Sequence, residues 1–377
     1  MKKKLYIVDH IGVHSGMHYY NSAFKNHLDK INDFNIKVLS NYDKDKKPFF
    51  YNFYVGNNIL RAFLLLINYF RLLFKLIVSK NSYFILLSYG SGIDAIFMTM
   101  SVFSKKIIID IHEVNALQLH NRIIAKFISL LYKHYVKTVI CHSDRSEKLL
   151  DKIGYTKKRI YVPHFKYQFP KTYKTEKIKE DIIQNISNEK INVLFFGYVN
   201  FEKGIDILLK ATNLLTNNIA NKLNVIIAGK DKDGTINTVD IKNNFTVRRI
   251  LRRIDDDELV YLFTHIDYVI LPYRETSQSG ILEMAIYFKK PILASKVKYF
   301  EQYLLQYPTF GMLMNGNEQS IANKLTEVVD THSEYYDNYF SDEDFTNYEK
   351  EDEFYNFIDE MRELLNETKT KSYLESK

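Results

Sequence analysis

The chain contains 377 residues, of which 46% are hydrophobic, and this length favours two domains with separate cores over a single domain. Cys141 is the only cysteine, which excludes an intramolecular disulfide and fits a reducing compartment. The charge is uneven: residues 1–165 carry 25 Lys and Arg against 11 Asp and Glu, whereas residues 166–377 carry 27 against 34. The basic half predicts an anionic partner, with nucleic acid and a membrane surface as the two candidates.

Short apolar runs alternate with amphipathic stretches through the first half of the chain. The first run stops at Asp9, so it predicts a strand and not a signal peptide. The apolar runs predict strands at Leu5–Val8, Ile36–Leu39, Phe84–Leu87, Ile107–Ile111, Thr138–Cys141 and Arg159–Val162, and the stretches between them predict helices over 17–30, 59–79, 92–103, 121–135 and 143–153. This alternation is typical of a parallel sheet covered by helices on both faces.

The segment 59–79 is strongly apolar for its length. It is long enough to span a bilayer, but Arg61, Arg71 and Lys75 interrupt it. Their spacing places the three cations near one side of a helix. A helix lying on anionic lipid and a core helix with one solvated edge share this pattern, and the sequence leaves both interpretations open.

A polar, Lys-rich stretch over 169–190 is expected to link an N-terminal domain, 1–168, to a C-terminal domain, 191–341. In the second domain the pattern predicts strands at Asn192–Phe196, Val225–Ala228, Val247–Ile250, Tyr268–Leu271 and Pro291–Ala294, and helices over 203–215, 256–264, 279–289 and 318–330. The tail, 342–377, carries an apolar stripe that predicts an amphipathic helix over 342–367. Two Rossmann-like α/β domains facing a cleft are therefore expected, with ligands beyond the carboxyl ends of the strands.

The segment Val269–Ser295 contains a strand end, a polar loop and the start of a helix. The loop offers hydrogen-bond donors and a small residue that permits close backbone approach, namely Ser277, Gln278, Ser279 and Gly280. The free N–H groups and partial positive charge of a first helical turn suit a nucleotide diphosphate. Glu283, about one turn into the helix, can accept hydrogen bonds from two ribose hydroxyls, and Glu275 on the loop can reach a sugar.

Glu275 and Glu283 have seven residues between them, which is the E-x7-E motif of family-4 retaining glycosyltransferases. The surrounding text, PYRETSQSGILEMA followed by KKPILAS, resembles the donor-binding segment of that family. The alternative is a capped surface helix with incidental acids, and the strand–loop–helix context argues against it. The resemblance implies the two-domain GT-B fold with a C-terminal helix crossing back to the first domain.

A second segment, Val193–Ala211, resembles the strand–glycine–loop–Lys-Gly–helix unit that opens the C-terminal domain of this family. The resemblance implies that Gly197 lies beside the donor and that Lys203 neutralises the diphosphate. The alternative for Lys203 is a solvated lysine at the start of a helix. The family usually has Arg directly after the strand glycine, where this chain has Tyr198, and Arg274 on the neighbouring loop is the candidate to replace that cation.

Weaker matches add four positions to the predicted site. The backbone at Arg253 and Ile254 falls where the family pairs with the nucleotide base. Gly16 follows the first strand, where the family has a glycine-rich loop near the donor phosphates. His112 follows the strand Ile107–Ile111, where the family carries a histidine that faces the transferred sugar; a structural histidine is the alternative.

The resemblance implies a hexosyl transfer, with retention, from a UDP- or GDP-sugar to a glycan or polyprenyl-linked glycan in bacterial surface polysaccharide synthesis. Glu275 and His112 are the expected catalytic residues. No metal or other cofactor is expected, because lysine and helix dipoles neutralise the diphosphate, and the spacing of His10, His14 and His18 across a strand end is a poor zinc pattern. The expected location is cytoplasmic, with peripheral contact to an anionic membrane; a nucleic-acid partner would leave the E-x7-E segment unexplained.

Two other function classes stay open at this point. An epimerase of the same fold acting on a nucleotide sugar would share the donor site, although acid and base residues for both faces of the sugar are not identified. A non-catalytic subunit that binds a nucleotide sugar is the other, suggested by Tyr198 in place of the usual Arg.

Overall fold

The computed structural model describes residues 3–12, 18–30, 34–41, 48–54, 56–79, 81–88, 92–112, 122–162, 166, 169–170, 172–242, 246–276, 278–349 and 356–365. The chain divides into two compact units. The first unit comprises Met1–Lys166 together with Glu351–Lys377, and the second comprises Tyr167–Lys350.

The first unit is built on a six-stranded sheet. Its strands are β1 (Lys3–Asp9), β2 (Phe34–Ser40), β3 (Tyr83–Ser88), β4 (Ile107–Ile111), β5 (Thr138–Cys141) and β6 (Lys158–Tyr161). Its first five helices are α1 (His18–Asp29), α2 (Asn58–Val78), α3 (Gly92–Met98), α4 (Arg122–His134) and α5 (Asp144–Lys152). All strands pair in parallel in the order β2-β1-β3-β4-β5-β6, and β3, β4 and β5 are buried along their whole length, as in a sheet covered on both faces.

Helix α2 is exposed along most of its apolar length. Only Asn68, Leu72 and Leu76 are buried. The side facing solvent carries Ile59, Phe63, Leu66, Phe70, Phe74 and Ile77. The Arg71 guanidinium lies 4.6 Å from the ring centroid of Tyr51 and so contacts the rest of the first unit. The solvent-facing side of the helix is therefore mainly apolar. The helix therefore packs on the core of the unit along one side, through Leu72 and Leu76, and leaves most of its apolar surface exposed.

Exposed apolar residues also lie on elements near α2. The Tyr69 hydroxyl of α2 lies 3.0 Å from the Thr99 hydroxyl after α3, which places Val102 and Phe103 nearby. Helix α4 packs on α3. We call the following exposed residues the outer apolar surface: Ile59, Phe63, Leu66, Phe70, Phe74, Ile77, Val102, Phe103, Ile123, Phe127 and Leu130. In the described part of the chain, every helix is too short or too polar to cross a membrane.

The second unit is built on another six-stranded sheet. Its strands are β7 (Ile191–Phe196), β8 (Leu223–Ala228), β9 (Val247–Ile250), β10 (Tyr268–Leu271), β11 (Ile292–Ser295) and β12 (Gly311–Met314). Its helices are α6 (Glu180–Ile183), α7 (Ile205–Thr212), α8 (Asn217–Lys222), α9 (Asp256–His265), α10 (Gly280–Tyr287), α11 (Lys298–Gln306), α12 (Glu318–Tyr335) and α13 (Asp342–Glu349). All pairings are parallel, in the order β12-β11-β10-β7-β8-β9.

The stretch 169–190, expected to be a linker, forms part of the second unit. Helix α6 lies within it and buries Ile182. The Asn224 side chain donates a hydrogen bond to the Asn185 carbonyl, 2.8 Å away, and the Lys174 backbone N–H donates to Asp257. These contacts fix the stretch to β8 and to the first turn of α9.

The tail contains two described helices where the sequence predicts one. Helix α13 belongs to the second unit, whereas a last helix, α14, spans 356–365 and belongs to the first. Phe357 of α14 is buried, with its ring centroid 5.9 Å from that of Phe24 in α1. The Tyr83 hydroxyl of β3 donates to the Leu364 carbonyl. The chain therefore completes the core of its first unit with its last described helix.

The two parallel sheets with their surrounding helices confirm the α/β architecture expected from the sequence. The sequence did not predict β12, α8 or α11, all of which belong to the second unit.

Candidate functional site

The strand order of the second sheet creates a topological switch point between β7 and β10. These two strands are hydrogen-bonded neighbours, but β8 lies on one side of the pair and β11 on the other. Ligands of open parallel sheets bind beyond the carboxyl ends of the strands at such a point. Two loops leave the sheet there, 197–204 after β7 and 272–279 after β10. They contain most of the donor-site residues predicted from the sequence.

Close backbone approach holds the two loops together. Gly204, which precedes α7, has φ +70°, and a Cβ atom added to it would lie 1.9 Å from the carbonyl oxygen of Pro272. Gly197 lies at the end of β7, and a Cβ atom there would be 3.5 Å from Cδ1 of Ile281 in the first turn of α10. The structure therefore brings Gly197 next to the start of the predicted diphosphate-binding helix.

Lys203 crosses from the first loop to the second. Its ammonium lies 3.7 Å from the ring centroid of the buried Tyr273, and its backbone N–H donates to the Asn200 side chain. Among the described residues, no carboxylate pairs with it. A cation held on an aromatic face keeps its charge available to an anion at the switch point. The donor role of Lys203 stays a prediction, but its position suits that role.

Arg274 has an internal partner. Its two terminal nitrogens each lie 2.8 Å from an oxygen of Asp206, and its guanidinium also stacks 3.6 Å from the Phe201 ring centroid. Burial works to raise the pKa of Asp206, but the hydrogen bonds and charge of Arg274 outweigh it and hold that pKa below its usual value. The charge of Arg274 is thus already balanced, which argues against its expected use as the replacement phosphate-binding cation.

A different cation lies beside Tyr198, and the sequence patterns did not single it out. Tyr198 is exposed, and the Lys232 ammonium is 5.6 Å from its ring centroid. Two backbone hydrogen bonds of 3.0 Å hold Lys232 near Tyr198. The Val199 N–H donates to the Lys230 carbonyl, and the Lys232 N–H donates to the Val199 carbonyl. Lys232 lies in none of the sequence motifs, and it comes next to Tyr198 through the parallel bridge between Val199 and Asp231 that follows β7 and β8.

Residues of the loop before α10 have two different environments: some cap the helix and others are exposed to solvent. The Ser279 hydroxyl accepts a hydrogen bond from the Leu282 N–H and caps the helix, which begins at Gly280. The carbonyl of Gln278 accepts from the Thr276 hydroxyl. Glu275 is exposed on the loop. Ser277 lies outside the described residues.

Glu283 is buried in the first turn of α10. Its side chain and backbone together are 1% exposed. One carboxylate oxygen accepts from the Tyr303 hydroxyl at 2.9 Å, and the other accepts from the Tyr348 hydroxyl at 2.6 Å. The sequence singled out Glu283 but gave no sign of the two tyrosines.

The predicted base-binding backbone lies in an ordered loop before α9. Arg252 donates to both carboxylate oxygens of Glu258 and of Asp181, and a further bond reaches the Arg253 carbonyl at 3.0 Å. Burial opposes ionisation of Glu258, but Arg252 holds its pKa below the usual value. The Arg253 carbonyl is thus already an acceptor within the protein. Ile254, next in the loop, precedes the Asp255 capping residue of α9.

His112 of the first unit lies in a buried polar cluster. Its Nε2 is 3.3 Å from one Asp110 oxygen, which also accepts from the Tyr20 hydroxyl at 2.8 Å. His142 Nε2 lies 2.6 Å from the other Asp110 oxygen. Burial alone would raise the pKa of Asp110, but the two imidazoles outweigh it and hold that pKa far below its usual value. Asp110 thus lies within ion-pair distance of both imidazoles.

The same three residues have the ligand types of a metal site. One ligand atom from each of Asp110, His112 and His142 lies within 4.8 Å of the others. Tyr20 already donates to the carboxylate, and His142 Nδ1 lies 3.0 Å from the Val162 carbonyl, so hydrogen bonds occupy much of the cluster. Gly16, the remaining predicted residue of this unit, lies outside the described residues.

A family model described as "Glycosyl transferases group 1" matches residues 176–341. This part of the chain is similar to that family. The group 1 region runs from just before α6 to the residue before α13, and it includes Gly197, Lys203, Glu275 and Glu283.

Solved structures show that the group 1 region and the rest of the chain share the GT-B fold. Anabaena Alr3699/HepE in complex with UDP-glucose is 14% identical with a TM-score of 0.64, over 97% of this chain and 99% of that one. WaaG, a glycosyltransferase involved in lipopolysaccharide biosynthesis, is 13% identical with a TM-score of 0.62, over 96% and 99%. A putative UDP-N-acetylglucosamine 2-epimerase from Listeria monocytogenes also matches, at 10% identity and a TM-score of 0.54, over 89% and 90%.

A curated relative is the uncharacterised 41.2 kDa protein in the cps region of Klebsiella pneumoniae. It is 26% identical to this chain over 207 residues. The alignment spans 55% of each protein, about half the length of the relative.

Proposed function

We propose that the protein is a glycosyltransferase that moves a sugar from a UDP- or GDP-sugar to a glycan or polyprenyl-linked glycan acceptor with retention of configuration. The observation that carries this proposal is the group 1 match over 176–341, which contains both glutamates of the E-x7-E motif at the switch point of the sheet. The UDP-glucose complex of the Anabaena protein supports a nucleotide-sugar donor.

The donor roles follow from the positions of the site residues. The first turn of α10 and Gly280 would receive the diphosphate, whose negative charge is favoured at a helix N-terminus. Lys203 would balance the charge that develops on the leaving diphosphate. Glu283 would accept from the ribose hydroxyls, and the exposed Glu275 would orient the sugar.

Retention is proposed to proceed by front-face attack. The bond between the anomeric carbon and the diphosphate oxygen breaks while a bond to the acceptor oxygen forms on the same face. The acceptor proton passes to an oxygen of the departing phosphate. In the second unit, Asp206 is held by Arg274 and does not suit a covalent nucleophile. His112 stays the predicted sugar contact of the first unit.

The acceptor is proposed to be lipid-linked and used in bacterial surface polysaccharide synthesis at the cytoplasmic face of the membrane. The basic first half of the chain and the outer apolar surface supply the two features of a protein that docks on anionic lipid. The cps-region relative supports the polysaccharide setting.

A thermal-shift screen of nucleotides and nucleotide sugars tests the donor site. A nucleotide present at a hundred times its Kd should stabilise the wild type by about 2.7 kcal/mol. Glu283→Ala should lose that shift, because the ribose loses its acceptor. Lys210→Met, at the exposed end of α7, should keep it. No stabilisation by any uridine or guanosine nucleotide would contradict the proposed donor site, and conversion of the sugar without transfer would favour an epimerase.

Binding to vesicles tests the membrane proposal. We expect the wild type to co-sediment with vesicles containing anionic lipid at low salt. The double variant Phe70→Glu, Phe74→Glu should bind these vesicles at least roughly tenfold more weakly, because two apolar side chains are lost and two negative charges are gained. Leu305→Glu changes an exposed apolar residue of the second unit and should bind like the wild type. Equal binding of all three proteins would contradict the use of this surface.

A further inference from the structure

The loop that follows β8 carries Lys232 at the carboxyl edge of the second sheet. Gly229 opens this loop with φ +145°, and a Cβ atom added to it would lie 1.7 Å from the carbonyl oxygen of Gly197. Val199 forms a parallel bridge with Asp231 and accepts a hydrogen bond from the Lys232 N–H. The backbone of Lys232 is therefore held against the loop that follows β7.

An aromatic contact directs the Lys232 side chain toward the end of β7. Its ammonium lies 5.6 Å from the ring centroid of Tyr198, and both side chains are exposed. Tyr198 directly follows Gly197, where an added Cβ atom would be 3.5 Å from Cδ1 of Ile281 in the first turn of α10. This series of contacts places Lys232 at the same edge of the sheet as the N-terminus of α10.

Two arginines on the neighbouring loops already have acidic partners. Arg274 is paired with Asp206, with an N···O distance of 2.8 Å. Arg252 is paired with Asp181 at 2.6 Å and with Glu258 at 2.7 Å. The positive charge of both guanidinium groups is thus balanced within the protein, and it contributes little to the binding of an external anion.

Two lysines of the same loops have aromatic partners instead. The ammonium groups of Lys203 and Lys232 each lie on a tyrosine ring, and neither pairs with a carboxylate of the described residues. The carboxylate of Asp233 accepts from the Phe201 N–H at 2.9 Å, and this hydrogen bond, helped by the Lys232 charge, holds its pKa below the usual value. A cation on an aromatic face keeps its charge available to an anion.

We propose that Lys232 is a further donor-binding residue, whose ammonium binds a phosphate oxygen of a nucleoside diphosphate together with Lys203. The inference rests on the proposed function. A diphosphate carries more than one negative charge, so two lysines on separate loops match it better than one. The flexible stem of a lysine lets its point charge reach a phosphate from a neighbouring loop.

Calorimetric titration of the full-length protein with UDP and GDP tests the inference. Lys232→Met keeps most of the apolar stem and removes the charge. We expect it to raise the Kd of the diphosphate that the wild type binds roughly tenfold, because a charge-assisted contact to phosphate is lost. Lys232→Arg keeps the charge and should bind within about threefold of the wild type. Lys232→Glu reverses the charge and should bind more weakly than Lys232→Met.

Salt dependence and a matched control separate charge from packing. The rise of Kd with added salt should be less steep in Lys232→Met than in the wild type, because one charge that faces the phosphates is gone. A merely structural role would leave that slope unchanged. Lys222 is exposed at the end of α8, before β8, whereas Lys232 follows the carboxyl end of that strand. Lys222→Met removes the same charge from the protein and should keep the wild-type Kd and slope.

Three results would overturn the inference in distinguishable ways. An unchanged Kd and salt slope in Lys232→Met, with a wild type that binds UDP or GDP, would exclude Lys232 and leave the proposed function intact. Equal losses in Lys232→Met and Lys222→Met would show an effect of net charge and not of position. A wild-type protein that binds neither nucleotide would contradict the proposed function, and the inference with it.

Discussion

Lys203→Met should lower kcat for sugar transfer by roughly 10²–10³-fold, the range found when one preorganised charge-stabilising group is removed from an active site. The Lys203 ammonium lies on the ring of Tyr273 at the switch point and pairs with no carboxylate of the described residues, so its charge is available to the leaving diphosphate. Arg274, the other cation of these loops, is neutralised by Asp206. Initial rates of transfer from a labelled nucleotide sugar measure the effect.

Two further variants make the Lys203 result specific. Lys203→Arg keeps the charge and should retain more activity than Lys203→Met. Lys210→Met removes a lysine from the exposed side of the adjoining helix α7 and should leave kcat near the wild-type value. Turnover of Lys203→Met within threefold of the wild type would contradict the assigned role.

Gly204→Ala should destabilise the second unit by about 3–5 kcal/mol, near the upper end for a single substitution. A residue with a side chain at φ +70° carries about 1–2 kcal/mol of left-handed strain. The remainder comes from the Cβ atom, which would lie 1.9 Å from the Pro272 carbonyl oxygen and force the two site loops apart. Urea denaturation of the wild type and of Gly204→Ala measures the loss of unfolding free energy. Hydrogen exchange in peptides containing β7 and β10 shows whether the loss lies in the second unit.

Gly234→Ala is the matched control for this prediction. Gly234 has φ +74°, nearly the same backbone conformation, but a Cβ atom there would meet nothing within 4 Å. It should therefore show the strain without the collision. Equal losses in the two variants would mean that the close approach of Gly204 to Pro272 does not matter for stability.

The parts of the fold that follow from sequence are those with strong local periodicity. The buried strands Ile107–Ile111, Thr138–Cys141 and Tyr268–Leu271 were predicted with their observed bounds, because runs of apolar residues flanked by polar ones have few other solutions. Strand β12 was missed because it is a four-residue edge strand that begins with Gly311 and is mostly half-buried. Helix α11 was missed because only Phe300 and Leu304 are buried along it.

The candidate site shows the same division. The E-x7-E motif identified Glu275 and Glu283 from the sequence because both residues lie within one strand–loop–helix unit. The partners of these residues come from distant segments: Asp206 binds Arg274 across 68 residues, and Tyr348 reaches Glu283 across 65. Such pairs depend on which helices meet in three dimensions, and a single sequence carries no local pattern for them.

The return of α14 to the first unit has a consequence for how the protein is synthesised. The second unit can close its core once residue 350 has left the ribosome, but the first unit lacks Phe357, Met361 and Leu365 until α14 has also left it. Although its sheet is made first, the N-terminal unit is thus completed after the second unit. During elongation its hydrophobic contact site for α14, beside Phe24, is open to solvent and to chaperones.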